Sequence, residues 1–176
     1  MDFSLFSGLI RNWRKKMVIT IETVILCIVF FLLCYIGTGT DEKNLKSYSS
    51  YPDEVQAQIN NIPTYQGKFK KHNKVTVFLI NLLLFSIILF FLGFFIKEDN
   101  FFHNFLYLSI IGQGLNIFDL FIIDLLWWRN TNRIRFSKIP EKKLYQNPKK
   151  HIDAFVRAFI MYLSVAVIDG YILTLL

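Results

Sequence analysis

The sequence predicts an all-α polytopic membrane protein. It has about four transmembrane helices in a bundle and a short amphipathic helix in its first loop. Three observations carry this prediction. The 176 residues are 53% hydrophobic, with a mean hydropathy of +0.39. Only 19% are charged, against about 25% in an average soluble domain. The charges also sit in blocks between long uncharged runs, each near the ~20 residues that cross a hydrocarbon core as helix.

Residues 1–16 read as an amphipathic lead suited to lying on a membrane surface, with Phe3, Leu5, Phe6, Leu9 and Ile10 between polar positions. The first span is read at 17–36 and stops at the breaker Gly37-Thr38-Gly39-Thr40. Arg11, Arg14, Lys15 and Lys16 before an apolar run resemble a signal peptide. The run exceeds the usual ~7–15-residue apolar region, however, and no small-x-small site follows, so a retained helix is expected. Cys27 and Cys34 lie one heptad apart in this span. Two cysteines so placed on one helix cannot reach each other, so packing is their expected role.

Residues 41–74 form a polar loop. Within it, Pro52-Asp53-Glu54 suits a helix start, with proline early and acids at the positive dipole end. Val55, Ile59 and Ile62 then give that helix one apolar face, expected to lie on the membrane surface or on other loops. The second span, 75–96, is interrupted only by Asn81, Ser86 and Gly93. Lys97-Glu98-Asp99-Asn100 makes a tight turn. The third span, 101–128, is longer than the bilayer requires, so it tilts, kinks or extends into water, with Gly112 and Gly114 as the expected weak point. A basic polar loop fills 129–150, and the fourth span is read at 152–176. The whole chain reads as one membrane domain.

The two long loops hold 14 Lys and Arg, whereas the N-terminal lead and the Lys97 turn hold five. The positive-inside rule then places both loops in the cytoplasm and both termini outside, in a cell membrane. The basic lead argues the other way and is outweighed. The same rule explains the net charge of +7 without nucleic acid, for which the chain has no separate basic domain.

Polar residues at membrane depth are costly and carry what functional signal there is. Gln113, Asn116, Asp119 and Asp124 fall within an arc of about 140° on the third span, together with Ser109 and Gly112. That face suits either a helix–helix seam or the lining of a cavity or ion path. Asp119 is the hardest to explain as seam alone. Asp153 and Arg157 stand four apart and are candidate ion-pair partners, with Asp124 a second partner for Arg157. Glu22, His103 and Asp169 share a depth at the opposite face and are a candidate proton relay, or three independent interfacial residues. Arg129, Arg133 and Arg135 are candidate contacts for an anionic lipid head group. Trp127 and Trp128 suit an interfacial belt.

The sequence has no HExxH, CxxC, GxSxG or Walker loop, and His72 and His151 lack metal-ligand spacing. No catalytic residue, metal or cofactor is therefore assigned. Phe, Ile, Lys and Asn are abundant, as in A/T-rich coding sequences, and a bacterial origin is expected.

The chain resembles a group of small, uncharacterised four-span bacterial membrane proteins. The residues that carry the resemblance are Tyr51-Pro52-Asp53-Glu54-Val55-Gln56, Asp119 with Asp124-Leu125-Leu126-Trp127-Trp128, and Tyr145 with Asn147-Pro148-Lys149-Lys150-His151. Ser137-Lys138-Ile139-Pro140-Glu141 departs from the Gly-Thr-Glu element of that group. The resemblance implies topology and no activity. The functions in view are an accessory or transport-associated subunit, a transporter or channel using the third span, and a lipid-active enzyme using the acids and His151. Expected partners are the lipid bilayer and either another membrane protein or further copies of the chain.

Overall fold

The computed structural model describes residues 3–69 and 73–176, with side chains from Trp13 onward. The apolar face expected for the N-terminal lead, and His72, lie outside the described residues. Six α-helices follow in chain order: α1 (Phe3–Ile36), α2 (Asp41–Lys46), α3 (Asp53–Asn61), α4 (Lys74–Ile96), α5 (Phe101–Phe118) and α6 (Lys149–Leu175). A π-helical segment, Asp119–Trp128, continues α5, and 3-10 turns occupy Tyr48–Ser50 and Lys142–Tyr145. Four helical stretches are long and apolar enough to cross a membrane, and no strand forms among the described residues beyond one isolated bridge, Phe136 to Ile139.

Two helices differ from the sequence reading. The lead and the first span are one continuous helix, because no proline and only Gly8 interrupts Phe3–Ile36. The third span is regular through Gly112 and Gly114. Its departure from α geometry comes later, at Asp119–Trp128, a stretch without glycine or proline.

The chain divides into two compact units. One takes Met1–Cys27, Leu79–Leu115 and Phe159–Leu176. It is a bundle of parts of α1, α4, α5 and α6, packed on aliphatic side chains including Leu89, Leu108, Ile111, Leu115, Val165 and Ala166. Lipid tails are as apolar as leucine, so such helices associate through close packing and interhelical hydrogen bonds. Both are present. A Cβ on Gly170 would stand 3.0 Å from the Phe105 main-chain nitrogen, so α6 and α5 touch backbone to backbone. Gly112 makes room in the same way for the Tyr162 ring.

The second unit takes Ile28–Phe78 and Asn116–Ala158 and contains both long loops. They are not open linkers. Leu45, Tyr48, Tyr51, Val55, Ile59 and Tyr65 of the first loop bury against Trp128, Ile134, Phe136, Ile139 and Tyr145. The expected apolar face of α3 is therefore spent on this core, with Val55 and Ile59 fully buried. Trp128 is 7% exposed and belongs to the core rather than to an interfacial belt. Buried phenols need partners. Tyr51 donates to Ile134 O at 2.8 Å, and Tyr145 donates to Ile139 O at 2.8 Å while accepting from Phe136 N at 3.1 Å. Burial pushes the Tyr51 hydroxyl well above its usual range, with Tyr145 and Asp41 adding to it, and pushes Tyr145 up to about 12.

Candidate functional site: polar groups on the membrane helices

The polar face of the third span serves several purposes. Gln113 donates from Nε2 to Phe159 O at 3.0 Å, and Asn116 donates from Nδ2 to Phe155 O at 3.3 Å. Both amides thus bond the main chain of α6. An amide on a main-chain carbonyl ties two helices together without a fixed charge, which is seam chemistry. Further along, the hydrogen-bond pattern changes. In an α-helix, residues five apart stand about 140° apart around the axis. A π-helix bonds i to i+5 and returns such residues towards one side. Asp119 and Asp124 are five apart within this segment.

The two aspartates have different surroundings. Asp124 Oδ1 lies 2.9 Å from His151 Nδ1, with side-chain exposures of 14% and 5%. The Trp128 ring meets the imidazole edge-on, centroid to centroid 4.7 Å. His151 Nε2 is buried and bonds nothing among the described residues. A carboxylate on Nδ1 leaves the other nitrogen as acceptor, which is half of a general-base arrangement. Among the described residues no nucleophile bonds Nε2, and the atom is closed to solvent. The pair fastens the π segment to the first turn of α6. Asp119 is half-buried and makes no hydrogen bond or ion pair among the described residues.

The expected pairing of Arg157 does not form. Asp153 and Arg157 are both exposed, and neither makes an ion pair among the described residues. Asp124, the other candidate partner, is occupied by His151, the third residue of α6, which is buried where Arg157 is exposed.

Nor are Glu22, His103 and Asp169 joined by hydrogen bonds among the described residues. Asp169 is 1% exposed and accepts from Ser86 Oγ at 2.6 Å. Glu22 is half-buried, with Oε2 enclosed and unbonded. His103 is exposed and lies beside Tyr107, ring centroids 6.1 Å apart. Three helices place these groups, and each has different surroundings.

Of the three loop arginines, Arg133 is already engaged. Its Nη2 donates to Tyr35 O at 3.1 Å and Thr38 O at 3.0 Å, closing the C-terminal end of α1, and its guanidinium lies 3.8 Å above the Tyr35 ring centroid. Gly39 makes this approach workable. It has φ +108°, and a Cβ there would stand 2.7 Å from Arg133 Nη2. A cation on the last carbonyls of a helix also complements the helix dipole. Arg133 is therefore a cap rather than a free lipid contact. Arg129 and Arg135 are half-buried and form no ion pair among the described residues.

Three arrangements had no sequence prediction. Asn104 accepts from Glu98 N at 2.7 Å and donates to Glu98 O at 2.8 Å and to Thr174 Oγ1 at 3.1 Å, so it fixes the turn before α5 and bonds α6. Its signal was an amide one turn inside a helix that begins after Asn100. Asp41 accepts from Ser137 N at 2.9 Å, Ser137 Oγ at 2.5 Å and Tyr65 OH at 2.5 Å, linking the two loops. Burial raises the Asp41 carboxyl, but the Ser137 and Tyr65 hydrogen bonds outweigh it and hold the group below its ordinary value. Lys15 pairs with Glu98 beside the Lys97 turn. Among the described residues, no group of three or more His, Cys, Asp or Glu could hold a metal ion.

No protein-family model, curated protein or solved structure matches this chain.

Proposed function

We propose that the chain is an accessory or transport-associated membrane protein that acts through helix contacts in the bilayer. The observation that carries this reading is the use of Gln113 and Asn116. Their amides bond main-chain carbonyls of α6, so the most polar helix face is a seam over that stretch. Ser86 with Asp169, and Asn104 with Thr174, spend further polar groups between helices. Outward, α1 and α4 present mainly apolar side chains. In this reading the protein is a small four-span protein of a bacterial cell membrane, with both long loops in the cytoplasm and the termini outside, as the 14 loop cations favour.

Two experiments test it. Purified from native membranes in mild detergent, the tagged chain should run as a defined complex larger than its own 20.8 kDa. A lone, partnerless chain would overturn the reading. For orientation, Lys143 is the labelling site, since it is exposed whereas Arg133 is engaged. Lys143→Cys, in a chain without Cys27 and Cys34, should react with a membrane-impermeant maleimide only after the membrane is opened.

One observation favours a second reading, a small transporter or channel. Asp119 is an acid at membrane depth without a partner among the described residues. Purified chain in proteoliposomes decides between the two. The accessory reading expects no ion flux. Flux that disappears in Asp119→Asn, with the variant folded, establishes the transporter instead.

A further inference from the structure

Along its outer side α6 carries a stripe that the described residues leave largely uncovered. Asp153 and Arg157 lie on it one turn apart, both exposed, and they pair neither with each other nor with another described residue. At 1.5 Å per residue they sit about 6 Å and 12 Å along the helix from Lys149. Their exposed neighbours Ile152, Val156 and Ile160 are aliphatic. Charges set among aliphatic side chains on a membrane helix call for opposite charges within reach.

The spacing of the stripe indicates what kind of surface meets it. From Asp153, steps of four, three, four, three and four reach Arg157, Ile160, Ser164, Val167 and Tyr171. This is the 3.5-residue repeat of a left-handed helix pair. Ser164 supplies a small residue midway, and its hydroxyl is satisfied by Ile160 O at 3.0 Å.

We propose that a second copy of this chain packs along the stripe about a two-fold axis, with each copy's Arg157 pairing with the other's Asp153. The proposal rests on the reading that the chain works through helix contacts. Charge complementarity selects a second copy. The stripe carries an acid and a cation one turn apart, so a second copy brings to it both an acid for Arg157 and a cation for Asp153. Across a two-fold axis along the helices each position meets its own equivalent. Helical side chains lean towards the N-terminus, so the long Arg157 side chain reaches back to the depth of the facing Asp153. An anionic lipid would suit Arg157 and be repelled by Asp153.

The test uses Ile160→Cys in a chain whose Cys27 and Cys34 are replaced by alanine, oxidised in native membranes. A disulfide-linked dimer is expected. Asp153→Arg alone makes the stripe wholly cationic and Arg157→Asp alone makes it wholly acidic. Each single variant should lose the dimer. Co-expressed with different tags, the two should recover it as a mixed pair only. Unchanged crosslinking in both single variants, or an unrecovered mixed pair, overturns the proposal. If the introduced cysteine instead joins a different protein, the second copy falls while the helix-contact reading stands. A parent chain that crosslinks to nothing and purifies alone overturns both.

Discussion

The bundle unit and the loop unit are held together by different residues, and the difference follows from their solvents. In the bundle the largest fully buried side chains are aliphatic, Leu108, Ile111 and Leu115 among them, and glycines let helices approach. Polar groups there are scattered singly between helices, as with Ser86 and Asp169. In the loop unit the fully buried side chains include Tyr51, Phe136 and Tyr145, with ring centroids 5.1 Å apart for Tyr51 and Phe136. Segments that leave water gain from burying large aromatic surface, and each phenol must then find an acceptor. Helices that leave lipid gain little from apolar area and depend on close approach. The loop unit should therefore be sensitive to lost volume, and the bundle to added volume.

The largest expected effect is in the loop unit. Tyr51→Ala removes a fully buried ring from the aromatic core and leaves Ile134 O without its donor. A loss of about 3–5 kcal/mol is expected for truncating a buried aromatic. Limited proteolysis should then cut the loops at protease levels the parent resists, while α4 and α5 stay intact.

The converse substitution belongs to the bundle. Gly170→Val places side-chain atoms against the Phe105 and Asn104 main chain, where no rotamer change relieves the clash. A loss of about 3 kcal/mol is expected, at the upper end of overpacking costs. Loss of the monodisperse peak in detergent, at temperatures the parent tolerates, would register it. If Gly170→Val is neutral and Tyr51→Ala is too, the contrast between the units is void.

A smaller effect separates the loop unit by pH. Asp41 is held below its ordinary value in the folded chain, so its contribution is complete above the unfolded value of about 3.9 and is lost as pH falls through the lower folded value. The loop unit should weaken in acid below about pH 4. Asp41→Asn should be less stable at neutral pH and lose that acid dependence. An acid limb unchanged in Asp41→Asn would assign it to other groups.

The smallest effect is expected at Asp53. The Lys150 hydrogen bond and charge hold its carboxyl below the usual range, with the ammonium 2.7 Å away, yet Asp53 is exposed. Solvent screens such pairs, so Asp53→Ala should leave thermal stability unchanged. A clear fall in the melting temperature would make the pair part of the core.

The fold class was legible because it depends on composition along single segments. Four apolar runs are visible without knowing what they touch, and four membrane-length helices form. The period of Val55 and Ile59 likewise announced one buried face on α3. What sequence did not show depends on distant partners. Tyr51 meets Ile134 across 83 positions, and no local pattern marks either as half of a shared core. Arg133 looked like a free loop cation until the end of α1 was placed under it. The π segment was invisible for another reason. It contains no breaker, so the glycines at 112 and 114 drew attention to a stretch that remains regular. Among the polar residues, the helical arc brought Gln113 and Asn116 together in a seam. Depth alone did not predict the partners of Asp169 or Asp124, because depth leaves the rotation of each helix open.

Hydrogen exchange tests most directly whether the long loops form a folded core. Amides of 41–61 and 131–146, read by mass spectrometry on the chain in detergent or nanodiscs, should include slowly exchanging sites at Tyr51, Ile59 and Ile139, whose main-chain nitrogens are bonded to Tyr48 O, to the preceding turn of α3 and to Phe136 O. Protection there should fall in Tyr51→Ala. Exchange at the rate of an unstructured chain throughout both loops would contradict the account.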